Sequence, residues 1–140
     1  MNDRIILVGQ APSQHRNPDR PLIGGATGTR LMELTGLTLA QYVRAFHRTN
    51  VFPVWMGKNG KGDLFPMKEA WARADALSPG WKGRRVIFVG AAVARAFCAE
   101  HIKFFGWTWL PKREFTASVI PHPSPVNRFW NRPENVEIVR

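Results

Sequence analysis

Short apolar runs alternating with helical segments constrain this chain more than any other feature. Ile5-Ile6-Leu7-Val8 is stopped by Gly9, and Val86-Ile87-Phe88-Val89 is stopped by Gly90. Runs this short, apolar at every position and rich in β-branched residues, suit strands buried on both faces. Between and beyond them lie helical patterns. Thr27–Leu34 places Leu31 and Leu34 on one face, and Thr38 is placed to cap a helix through Phe46. Phe65–Leu77 and Ala91–His101 also have helical periodicity, with Val93 and Phe97 four apart. Two more strands are expected, at Thr49–Val54 and at Phe115–Ile120, where Pro121 ends the run. Residues 10–25 and the Gly/Lys segment Met56–Asp63 read as loops. Trp107 and Trp109 flank Thr108 as in an edge strand or a packed loop. Cys98, sharing a helix face with Ala94, reads as core. Strand–helix alternation of this kind implies right-handed crossovers and a parallel sheet covered on both faces, an α/β fold.

At 140 residues the chain fits one domain, residues 1–140. A chain of this size buries roughly two thirds of its surface and needs no disulfide or metal to fold. Its single cysteine excludes a disulfide framework, a cysteine-ligated zinc site and a four-cysteine iron–sulfur cluster. The first residues do not read as a signal peptide, and no apolar stretch approaches the roughly 18–20 residues of a membrane span. A reducing, cytoplasmic location without membrane contact is expected.

Lysine and arginine number 20 against 10 acidic residues, a net charge of +10. The cations are spread along the chain, so the folded surface itself must be basic. That balance points to a polyanion, nucleic acid first. His15, His47 and His101 show no metal-ligand spacing with carboxylates, so no metal site is expected. Met56–Asp63 does not match the phosphate-loop pattern, and a basic loop touching DNA is the better reading.

In a parallel sheet of this class, ligands bind beyond the carboxyl ends of the strands. Three segments fall there: Gly9-Gln10-Ala11-Pro12-Ser13, Asn50, and His122-Pro123-Ser124-Pro125. Backbone N–H groups in the first turn can face a carbonyl or phosphate. In the last, two prolines stiffen the loop that carries His122. A neutral imidazole there can donate a hydrogen bond to an anion forming on a substrate. Phe129 and Trp130 suit either core packing or a stacking platform for a base.

Taken in order, these segments resemble the motifs of the uracil-DNA glycosylase superfamily. The first motif of its branches, Gly-Glu-Ala-Pro-Gly or Gly-Gln-Asp-Pro-Tyr, is similar to Gly9–Ser13. The next resembles Asp19-Arg20-Pro21-Leu22-Ile23-Gly24 with Gly28. Thr49-Asn50-Val51 matches the base-reading motif, Val86–Ala94 the third strand and helix start, and His122-Pro123-Ser124 the final motif. The resemblance implies a three-layer α/β/α sandwich around a central four-stranded parallel sheet. It implies a monofunctional, cofactor-free DNA glycosylase that flips a uracil-like or modified base from single- or double-stranded DNA, acting as a monomer. Flipping is physically required, because the sugar–base bond is inaccessible inside a stacked duplex. Asn50 would read the Watson–Crick edge, and Gly9, Gln10 and the Ala11 backbone would line the pocket. Leu22 stands where the family stacks an aromatic on the base. His122 would stabilise negative charge on the departing base. Ser13 and Ser124 would grip backbone phosphates, and Val126, with Arg128, would fill the space left by the flipped base.

The chain departs from the family in one chemically important way. The motif carboxylate is replaced by Gln10 and Ala11, neither of which can ionise. Asp19 lies in the pocket-forming loop and is a candidate substitute, against its competing role as a turn residue in Asn17-Pro18-Asp19. An alternative reading follows: a catalytically weak or inactive glycosylase-like module that grips DNA. A hydrolase of free modified nucleotides fits less well, since a small substrate needs only a local basic patch.

Overall fold

The computed structural model describes residues 4–12, 21–23, 25–59 and 62–122. Strand β1, Ile5–Gly9, is followed by helix α1, Gly25–Thr35, and helix α2, Leu39–Ala45. Strand β2 is Phe46–Asn50, and a small hairpin pairs β3, Lys58–Asn59, with β4, Gly62–Asp63. Helix α3 spans Met67–Leu77 and runs into a 3-10 turn, Ser78–Trp81. Strand β5, Arg85–Val89, leads into helix α4, Ala91–Ala96. Strands β6, Thr108–Leu110, and β7, Phe115–Ile120, close the described chain.

The main sheet has five strands in the order β2-β1-β5-β7-β6. The first four are mutually parallel, and β6 joins the far edge antiparallel, with Trp109 opposite Thr116. The sheet is thus five-stranded and mostly parallel, where the sequence reading expects a four-stranded parallel sheet, and the chain is of the α/β class. Trp109 belongs to the edge strand β6, and Trp107 lies just before it.

Alternating residues of the buried strands feed two cores. Ile6, Val8, Val86, Phe88, Ala117 and Val119 point to one face, where they meet Ala70 and Ala74 of α3 and Val93 and Phe97 at α4. Phe97 stacks on Phe88 with centroids 4.8 Å apart and on Trp81 at 5.6 Å. Leu7, Val89 and Ile120 point the other way, toward Leu31 and Leu34 of α1 and Tyr42 of α2. Both faces of the parallel strands are thus covered, as their all-apolar sequences require.

Three boundaries differ from the sequence reading. The second strand runs over Phe46–Asn50 rather than Thr49–Val54, and Phe46 both ends α2 and begins the strand. β2 is an edge strand carrying His47, Arg48 and Thr49, so it lacks the apolar run that marks the buried strands. The expected helix Ala91–His101 stops at Ala96. Cys98 takes a left-handed backbone, φ 58°, and the Ala99 and Cys98 amides donate to Ala94 and Arg95 oxygens at 2.8 and 3.0 Å. That is a two-bond C-terminal cap in which cysteine occupies the place glycine usually takes. The same turn swings Cys98 out to solvent, so it is exposed rather than core. Finally, part of the Gly/Lys loop closes into the β3–β4 hairpin.

Among the described residues, no helix is long and apolar enough to cross a membrane.

Candidate functional site at the carboxyl ends of the strands

Four strand ends line up along one edge of the sheet. Gly9 of β1 is in register with Asn50 of β2, and Val89 of β5 with Ile120 of β7. The chain beyond β1 stays beside β2, because the Val51 and Phe52 amides donate to the Gly9 and Gln10 oxygens, both at 2.9 Å. The Arg73 Nε–H, reaching over from α3, donates to the Val51 oxygen at 2.9 Å. Asn50 is thereby fixed from both sides.

Gly9, Leu22 and Asn50 meet here. A β-carbon added at Gly9 would lie 2.5 Å from Asn50 Oδ1 and 2.8 Å from Leu22 Cδ2. Only glycine allows both side chains to lie over the end of β1. Asn50 is 8% exposed, and its Oδ1 is buried without a hydrogen-bond partner among the described residues. A buried acceptor of this kind costs on the order of 1–3 kcal/mol unless a donor reaches it. An orphaned group of this kind calls for an explanation, and a bound ligand is one.

Leu22 is held there from below. It has a left-handed backbone, φ 59°, which a branched residue adopts only under constraint. Tyr42 Oη donates to the Leu22 oxygen at 2.9 Å, and Arg48 donates through Nη1 to the Pro21 oxygen at 2.9 Å. The Arg48 guanidinium also lies over the Tyr42 ring, 5.9 Å from its centroid. Burial raises the Tyr42 hydroxyl above the usual tyrosine range, against the opposing pull of Arg48, so it remains a donor. Gly28 completes the support, since a β-carbon there would lie 2.9 Å from the Leu22 oxygen.

His122 lies at the opposite end of the row. Gly90, with φ 101°, packs against it, and a β-carbon at Gly90 would approach the His122 Cβ to 3.3 Å. The Gly90 amide donates to the Ile120 oxygen at 2.8 Å, tying the end of β5 to the strand that delivers His122. Burial lowers the His122 pKa, so the imidazole is neutral at neutral pH. Three strand spacings separate the Asn50 and His122 strands, roughly 14 Å between backbones, which leaves room for a ring between the two side chains.

Of the sequence-derived site residues, Gly9, Leu22 and Asn50 are brought into contact, and His122 stands on the same sheet edge. Gln10 is half-exposed, and Ala11 is partly buried against the larger core. Ser13, Asp19, Ser124, Val126 and Arg128, with Phe129 and Trp130, lie outside the described residues. Sequence reasoning missed Tyr42, Arg48 and Gly90. Tyr42 is the only tyrosine in the chain and lies on the buried face of α2, but nothing in its spacing points its hydroxyl at Leu22.

Among the described residues, no three His, Cys, Asp or Glu side chains are grouped to hold a metal ion. No protein-family model matches the chain, and no curated protein matches it in sequence.

Proposed function

We propose that this protein is a DNA glycosylase that receives a flipped uracil-like or modified base at the carboxyl ends of its strands and hydrolyses the N-glycosidic bond. The buried, unpartnered Asn50 Oδ1, lying against Gly9 and Leu22, carries this reading. It calls for a ligand that brings a donor to the edge of a flat group, and the N–H edge of a pyrimidine is such a donor. The amide nitrogen of Asn50 can serve a neighbouring carbonyl in return.

The rest of the site supplies the chemistry. As the bond from the sugar C1′ to the base nitrogen breaks, its electron pair stays with the base. Neutral His122 donates a hydrogen bond to the oxyanion that develops there. Water adds to C1′ and loses a proton to solvent, leaving an abasic sugar. Gln10 and Ala11 provide no general base, which normally contributes about 10²- to 10⁴-fold. The expected activity is slow, or depends on Asp19.

The parallel strands with helices on both faces support the glycosylase-like α/β/α architecture. The net charge of +10 suits a DNA substrate. The absence of an acid at Gln10 and Ala11 favours a second reading, a domain that captures a base without releasing it. The deciding experiment incubates the protein with oligonucleotides carrying uracil, 5-hydroxymethyluracil, hypoxanthine or xanthine, then cleaves abasic sites with alkali. Strand cleavage that requires Asn50 and His122 supports the enzyme. Tight base-dependent binding without cleavage supports the capture domain.

A further inference from the structure

The face of the sheet at β7 and β6 carries a feature that the pocket does not use. Leu110 pairs with Phe115 and enters the core with it. Strand alternation therefore turns Trp109 to the opposite face, and Trp107 lies just before the strand. Both indoles are open, Trp109 at 52% and Trp107 at 47% exposure.

A cation shares the row of Trp109 across the sheet. Trp109 is in register with Thr116, and Thr116 with exposed Arg85 of β5, so the three lie in one row across three strands. Residues 101–113 contain Lys103, Lys112 and Arg113 and no acid. Arg113 is paired with Asp75 at 2.6 Å and, with Lys112, lines a cavity beside Phe97 and Leu110 on the other side of the strand, whereas Lys103 stands exposed.

We propose that this edge is a binding platform for single-stranded nucleic acid. Bases stack on Trp107 and Trp109 while Arg85, in the row of Trp109, and Lys103 face the backbone phosphates. Open aromatic rings interleaved with cations are the combination that holds single strands without reading their sequence. An apolar protein partner would have to strip water from Arg85 and Lys103, a cost that phosphates would instead offset. A duplex hides its base faces, so it gains only the phosphate contacts. The platform lies three strands from β1, roughly 14 Å across the sheet from Gly9, and stands independently of the chemistry in the pocket.

The test is fluorescence anisotropy of a labelled oligo-dT of about 12 nucleotides, a length within the range held by single-strand binding surfaces. A duplex of the same length serves as competitor. Wild type is compared with Trp109→Ala, the double variant Trp107→Ala/Trp109→Ala, Arg85→Gln, and Trp71→Ala, which removes an equally exposed indole on α3. The double variant should bind oligo-dT at least about tenfold more weakly, with its thermal melting unchanged and with Trp71→Ala like wild type. Arg85→Gln should weaken binding and lower its salt dependence. Equal affinity in wild type and the double variant overturns the proposal. So does a wild-type dimer, seen by sedimentation, that the double variant dissociates, because the rings then cover a second copy of the chain. Base release is a separate readout, so failure of the glycosylase reading leaves this result interpretable.

Discussion

The hydroxyl of Tyr42 donates to the backbone oxygen of Leu22 at 2.9 Å, joining the inside of α2 to the turn that lies over Asn50. The bond crosses 20 residues of sequence and holds a leucine whose φ of 59° it would not keep unaided. A left-handed backbone costs a branched residue roughly 1–2 kcal/mol, and one satisfied buried hydrogen bond is of comparable size. Tyr42→Phe removes the oxygen and keeps the ring. It should lower stability by about 1–2 kcal/mol in denaturant unfolding. It should also speed amide hydrogen exchange at Leu22 and Ile23 more than at β1. Uniform acceleration across the sheet would mean that Tyr42 acts as core alone.

Gly9→Ala tests the closeness of the pocket wall. The backbone there lies outside the left-handed region, so alanine meets no dihedral strain and the effect is steric. Its methyl would sit 2.5 Å from Asn50 Oδ1 and must displace it. Overpacking of this kind costs typically about 1–3 kcal/mol. The more telling expectation is a displaced Asn50 side-chain amide signal in NMR spectra, with any preference among base analogues reduced. An unmoved Asn50 signal would show that Gly9 is not needed for the contact.

The buried strands announced themselves in the sequence and the edges did not. Ile5–Gly9 and Val86–Val89 are apolar at every residue because both faces are covered, and no other common element looks like that over so few residues. Phe46–Asn50 is held just as firmly by its ladder to β1, yet His47, Arg48 and Thr49 give it no apolar pattern. The early end of α4 was hidden for another reason. Its cap uses Cys98 in a conformation that sequence associates with glycine. At the site, Gly9, Leu22, Asn50 and His122 were legible because each follows a strand or a recognisable motif. Tyr42 and Arg48 act through hydrogen bonds to backbone oxygens of a distant loop, and periodicity carries no trace of such bonds.

Ala11→Asp tests whether the missing carboxylate limits the proposed chemistry. A positioned general base is worth about 10²- to 10⁴-fold, so even an imperfect one should raise the single-turnover rate of uracil release at least about tenfold. Ala11 packs partly against the core, and an ionised group there will cost stability, visible as a lower melting temperature. The two effects separate cleanly, because a folded but slower variant would deny the carboxylate any role at this position. Asp19→Asn is the companion. A drop in wild-type activity assigns the acid to Asp19, and an unchanged rate removes it.

The final expectation concerns pH. Burial lowers the His122 pKa below its ordinary 6.5, so the folded protein resists protonation there while the unfolded chain does not. Between the two values the unfolded state binds the extra proton, and stability falls as pH falls through that window. Above about 6.5 both states are neutral and His122 contributes no pH dependence. His47 shifts in the same direction, through partial burial and then the charges of Arg4, Arg84 and Arg48, so it must be separated from His122. Thermal melting from about pH 7.5 down to about 5.5 should show a loss in wild type that His122→Gln reduces and His47→Gln reduces further when combined. His122→Gln is the decisive variant. If its melting temperature falls with acid as steeply as that of wild type, His122 is not the neutral, buried imidazole that the packing against Gly90 implies.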